Sequence, residues 1–309
     1  MAVQQVIQVG AINVVLHPHP DGIYERLLRA AYKSRQVAQV YSDRSGIISQ
    51  LYTVKEQGEV VALEGVISTF TKFDPSLPWF NAKTADDASD DDLGALEVPD
   101  YLMPNHRKCQ FYFDTRGHLF LFETTSRKGG VAPRSMLKFL QGILWTPGLI
   151  TNFGMVRLTV VPDAKTLDEV VDWKQIRTLK LQAHRPNPDY DEDDLREFEE
   201  SLDDQNAEAL ELKLSAQPNS FLEPSERTRI LAAIAADNGY VEAHGLDPLG
   251  RREVRSTRER KPLCEIEYFD PETENSWDVF KRFAQSVAQD IRRRWRRRPA
   301  RRAEADGNN

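Results

Sequence analysis

The chain has 309 residues, 40% hydrophobic and 29% charged, with a formal charge of −7, enough apolar content for a substantial core and too much for a wholly disordered chain. No run approaches the ~20 apolar residues of a membrane span, and the start, Met1-Ala2-Val3-Gln4-Gln5-Val6, has no basic region followed by an apolar one, so a cytoplasmic protein is expected. Two cysteines, Cys109 and Cys264, exclude a disulfide scaffold and a four-cysteine zinc site.

Residues 6–16 are rich in β-branched side chains and predict a strand, ended by His17-Pro18-His19-Pro20. Asp21 is placed to cap a helix whose apolar stripe is Ile23, Leu27, Leu28 and Ala31. Strands are expected at 47–55, 58–72 and 108–123, the last split into a hairpin by Asp114-Thr115-Arg116-Gly117. Both arms of that hairpin carry large apolar residues on both faces, which places it in the middle of a core. Between them, 74–107 is acidic and polar and reads as an inserted surface loop. A helix is expected at 135–144.

The second half predicts β-α-β-α-β-α over 153–236. Its strands are 155–161, 178–184 and 209–215, and Thr166-Leu167-Asp168-Glu169 forms a capping-box pattern. An acidic helix in 189–204 has Leu195, Phe198 and Leu202 at helical spacing. A helix at 224–236 is followed by hairpin arms at 240–244 and 252–258 and a strand at 264–268. The last helix carries Phe280, Phe283, Val287, Ile291 and Trp295 as its stripe, capped by Asn275 or Ser276. The expected fold class is α+β with mixed or antiparallel sheets, a ferredoxin-like (split βαβ) second half and a C-terminal amphipathic helix. The organisation this suggests is 1–150, 151–274 and a basic helix and tail over 275–309.

Charge is unevenly distributed. Residues 276–302 hold ten basic side chains against Asp278 and Asp290, while the chain as a whole is acidic. Arg292, Arg293, Arg294, Arg296, Arg297 and Arg298 surround Trp295, and Arg301 and Arg302 follow. Guanidinium groups suit phosphate, because each offers a planar, permanently charged fork of donors. Trp295 could stack on a base, or pack in the core with the rest of its stripe. A second basic element runs from Arg251 through Arg252, Arg255 and Arg258, where an arginine-bearing ribbon could track a phosphate backbone or simply be a charge-protected edge.

Other chemistries have less behind them. Pro188-Asp189 followed by Glu211-Leu212-Lys213 fits a metal-dependent nuclease in which Asp189 and Glu211 hold Mg²⁺ and Lys213 assists water. Alternating charge opposite Leu210, Leu212 and Leu214 explains the same residues. No phosphate-binding loop, dinucleotide fingerprint or nucleophile elbow is present, so no cofactor is expected.

The stretch 179–189, together with 210–216, Asn238-Gly239-Tyr240-Val241, Gly245-Leu246-Asp247 and Arg255-Ser256-Thr257, resembles an uncharacterised bacterial family of domain-of-unknown-function proteins from phages and mobile islands. The layout over 150–268 is distantly similar to that of the phage-exclusion protein RexA. The resemblance implies DNA binding without catalysis, a homodimer and a defence or phage-exclusion setting; the arginine-rich end lies outside it, and protein partners of a defence system are a separate expectation. The reading favoured is a non-enzymatic nucleic-acid-binding protein that grips phosphate through its two arginine segments. The alternatives are the nuclease and a protein-protein adaptor or sensor.

Overall fold

The computed structural model describes residues 4–18, 20–72, 78–94, 99, 101–125, 129–163, 165–186, 193–258 and 261–297. The fold is α+β. In chain order the elements are β1 (Gln5–Val15), α1 (Ile23–Ser34), β2 (Ala38–Tyr41), β3 (Arg44–Glu56), β4 (Glu59–Thr71), β5 (Phe80–Asn81), β6 (Asp86–Asp87), α2 (Asp90–Gly94), β7 (Arg107–Asp114), β8 (Leu119–Thr125), α3 (Pro133–Leu144) and α4 (Pro147–Phe153). Then follow β9 (Arg157–Val160), α5 (Thr166–Val171), β10 (Ile176–His184), α6 (Asp193–Asp204), β11 (Ala209–Ser215), α7 (Glu226–Asn238), β12 (Gly239–Leu246), β13 (Arg252–Ser256), β14 (Glu265–Phe269) and α8 (Ser276–Arg297).

An eight-stranded sheet runs β14-β1-β8-β7-β4-β3-β2, with β9 also on β1. The expected hairpin β7–β8 lies near its centre. Phe111 faces Phe122 and Phe113 faces Phe120 across the pair. These four phenylalanines point into one core layer, under α1, α3 and α4. Tyr112, Leu119 and Leu121 point the other way, under α8. Strand alternation thus gives the hairpin two buried faces, and each fully buried large side chain contributes about 1.5–3 kcal/mol. The α8 stripe is used as its spacing predicts: Phe280, Val287, Ile291 and Trp295 are buried and Phe283 is partly buried in that second layer. Asn275 caps the helix by accepting from the Trp277 N–H at 2.8 Å.

The strand expected over 155–161 does not join the second-half sheet. As β9 it pairs with Ile12–Val15 of β1, while β14 pairs with Gln5–Val9, so the two cover successive halves of one β1 edge. The remaining strands form a four-stranded antiparallel sheet, β11-β10-β12-β13. β11 and β12 flank β10 and are both antiparallel to it, so β11–α7–β12 is one crossover that straddles β10. β12–β13 closes as the expected hairpin. Helices α5, α6 and α7 share one core with Leu179, Leu181, Ala183, Val241 and Ala243 on a single face of this sheet.

Two expected caps form differently. Gly22, in the left-handed region at φ 71°, occupies the cap position of α1 in place of Asp21. Thr166 is the first residue of α5 and not its cap, a position Lys165 takes without a side-chain bond, and the Thr166 hydroxyl instead donates to the Lys261 carbonyl at 3.2 Å. The 74–107 stretch holds the small β5–β6 hairpin and α2 among its described residues. None of the described helices is long and apolar enough to cross a membrane.

Candidate nucleic-acid interface

The two arginine-rich segments, some forty residues apart in the chain, are brought to the same junction. A short antiparallel bridge joins Pro162 to Pro262. Beside it the Leu263 N–H donates to Val161 O at 2.9 Å and the Asp163 N–H donates to Lys261 O at 3.0 Å. The end of α8 reaches this bridge, where Arg294 Nη2 donates to Pro162 O at 3.4 Å. On the other side, Arg134 of α3 donates to the Arg258 carbonyl at 3.1 Å. Arg157, at the start of β9, lies next to the end of β10 and pairs with Glu208. Arg134, Arg157, Arg258, Lys261 and Arg294 therefore line the seam between the two sheets. Asn13 fastens the same seam from within: its buried amide donates to Asp237 O at 3.0 Å and to Asn238 Oδ1 at 3.2 Å.

The sequence-derived site residues divide by what they touch. Arg251 braces its own turn, pairing with Asp247 at 2.7 Å, while its side chain stays 73% exposed. Arg252 is exposed at the start of β13. Arg255 does not face outward. Its guanidinium stacks 4.2 Å from the Trp173 ring, pairs with Glu253 at 3.1 Å and donates to Glu169 O, clamping β13 onto α5. Arg258 is exposed and stacks 3.8 Å over the Tyr240 ring. Its N–H is held by Ser256 Oγ at 3.2 Å.

On α8, Arg292 reaches back to Asp114 at 3.5 Å, in the space left by Gly117, where a Cβ would lie 2.8 Å from the arginine side chain. Arg293 is exposed beside Asp290 at 3.6 Å. Trp295 is 5% exposed and belongs to the core beneath α8. A ring that stacks on a base needs a free face, so the structure moves Trp295 from the candidate interface to the core. Arg296 and Arg297 lie in the last turn of α8. Arg298, Arg301 and Arg302 fall outside the described residues.

For the nuclease reading, Glu211 and Lys213 do share an exposed face of β11, and Gln182 Nε2 donates to Glu211 Oε1 at 2.7 Å. Asp189 lies outside the described residues. Among the described residues no group of three or more His, Cys, Asp or Glu is placed to hold a metal ion.

Sequence reading missed His184, Tyr240, Arg134 and Arg157. His184 and Tyr240 flank Gln182 on the face of the small sheet that the helices leave uncovered. Burial first, then the positive charges of Arg157 and Arg258, push the His184 imidazole below its ordinary 6.5, against an opposing pull from Glu211. The polar residues at every second position of 178–184 and 240–244 were the available signal, since alternation marks one wet face.

Residues 5–285 match the family DUF4747, a domain of unknown function, and the chain belongs to that family. No curated protein matches the chain.

Proposed function

For this DUF4747-family protein we propose non-enzymatic binding of nucleic acid through phosphate contacts, made in the cytoplasm by the basic rim of the seam and the arginine-rich end of α8. The observation that carries the reading is the meeting of the two arginine segments at the Pro162–Pro262 bridge. One polyanion can touch both segments there, which neither could offer alone. Because Arg292 is committed to Asp114 and Arg255 to Glu253 and Trp173, the free charge is smaller than the sequence count. Moderate, largely sequence-independent affinity follows, since phosphate contacts position a protein without reading bases. The similarity in layout to RexA adds an anti-phage setting to this proposal.

The test is binding of the purified protein to DNA across a salt series. Affinity should fall with a log–log slope of about −0.9 per neutralised phosphate on duplex. Each of Arg258→Ala, Lys261→Ala and Arg293→Ala should weaken binding and flatten the slope by about one unit. Absence of binding at about 50 mM salt defeats the proposal. Mg²⁺-dependent cleavage that disappears in Glu211→Ala would replace it with the nuclease. For the setting, expression in a host should reduce phage plating, and unchanged plating removes that part while leaving the binding result intact.

A further inference from the structure

The helices of its core, α5, α6 and α7, pack on one face of the four-stranded sheet and, among the described residues, leave the other uncovered. Leu179, Leu181, Ala183, Val241 and Ala243 point into the helices, so their neighbours along β10 and β12 point outward. Pairing places Gln182 opposite both Glu211 and Tyr240, and His184, two residues on, is diagonal to each. Lys213 and Arg252 are exposed on the same face, and Val254 is 46% exposed there. An antiparallel sheet with an uncovered face and stacking planes on it is the arrangement by which single strands are held: unpaired bases lie flat on rings or guanidinium planes. A duplex keeps its bases inside and can offer such a face only phosphates.

We propose that this bare face binds a single-stranded nucleic-acid segment, with a base stacked on the outer plane of Arg258 and its phosphates drawn to Arg157 and Lys213. The inference deepens the binding reading above and rests on it. Tyr240 backs the guanidinium at 3.8 Å, leaving the other plane of Arg258 to the ligand. The backbone at 258 is held on one side by Ser256 Oγ and on the other by Arg134, so the plane is presented rather than searched for. Next to it, Gln182 keeps one amide hydrogen beyond its bond to Glu211, a donor able to read a base edge. Glu211 and Glu242 stand on the same face, and Glu242 already engages Lys180 at 3.7 Å and His244 at 2.6 Å. The face is therefore not a uniform phosphate trap, and stacking must supply much of the affinity.

The experiment uses the full chain and fluorescence anisotropy with labelled oligo-dT, oligo-U and a duplex of equal length. Stacking of one base is worth about 1–3 kcal/mol, so one or both single strands should bind roughly ten-fold more tightly than duplex. Arg258→Lys keeps the charge and removes the plane. It should lower the ratio of single-strand to duplex affinity to near one. Lys213→Glu, at an exposed site, should weaken single-strand binding more than duplex binding. Preference for oligo-U over oligo-dT would assign RNA, and the reverse DNA, both in support. Equal affinity for single strand and duplex, or a preference untouched by both substitutions, overturns the sheet-face inference and leaves the basic-rim reading standing. Failure of every nucleic acid to bind at low salt overturns both.

Discussion

Replacing Trp295 by alanine separates two roles that lead to opposite results. In the structure the indole is 5% exposed and belongs to the buried layer beneath α8 that also holds Ile291, Val287 and residues of β1 and β8. Truncating a buried Trp to Ala costs about 3–5 kcal/mol when the cavity cannot collapse. If the last turn of α8 frays instead, the loss is still the burial itself, about 1.5–3 kcal/mol. Against a total stability of about 5–15 kcal/mol, either is a large fraction. Urea unfolding followed by far-UV circular dichroism should show a midpoint well below that of the parent, and Trp295→Phe should recover most of the loss. Nucleic-acid affinity per folded molecule should be nearly unchanged in Trp295→Phe. A destabilisation under about 1 kcal/mol, accompanied by a clear fall in single-strand affinity, would refute the core assignment and return Trp295 to the surface.

Further outcomes follow from other sites. Gly65→Ala should be among the most damaging small substitutions in the chain, because a Cβ there would lie 2.1 Å from the Gln50 carbonyl oxygen and 2.8 Å from the Phe111 ring; normal soluble yield and an unchanged melting temperature would refute the close approach. A thiol reagent at neutral pH should label exposed Cys264 and spare Cys109, which burial holds well above the usual thiol range; mass spectrometry that finds Cys109 modified in folded protein contradicts this. The folded-state pKa of His184 is depressed, so its neutral form is the one the fold accommodates. Its contribution is complete above about 6.5 and declines as pH falls below that, where the unfolded chain takes up a proton that the folded chain resists. His184→Gln should therefore make the urea midpoint less sensitive to pH between about 7 and 5, and an unchanged pH dependence refutes the assignment.

Much of the fold was legible because it rests on periodicity. The β7–β8 hairpin, the α6 stripe of Phe198 and Leu202, and the α8 stripe ending in Trp295 all follow spacing that can be read along the chain. Short β2 and α4 were missed. β2 has only four residues to show alternation, and α4 has one buried side chain, Leu149, too few for a stripe. The candidate interface was half legible. Arginine clusters are visible in any sequence, but what each guanidinium touches depends on long-range pairing. Arg255 lies against Trp173 only because β13 packs over α5, and the end of α8 reaches Pro162 only because β9 and β14 share the edge of β1. The Tyr240–Arg258 pair depends on the chain turning just after β13, beyond the strand register that the hairpin sets.

The divided edge of β1 also bears on the order of synthesis. β1 leaves the ribosome before the strands that close its edge, which come from 157–160 and 265–269. Until those strands are made, that edge is an open row of hydrogen-bonding groups beside Ile7, Val9 and Ala11. Pairings of such sequence separation form slowly. A nascent chain stalled before 265 would expose both the edge and the apolar layer that α8 later covers, making it a target for chaperones or for pairing with a second unfinished copy.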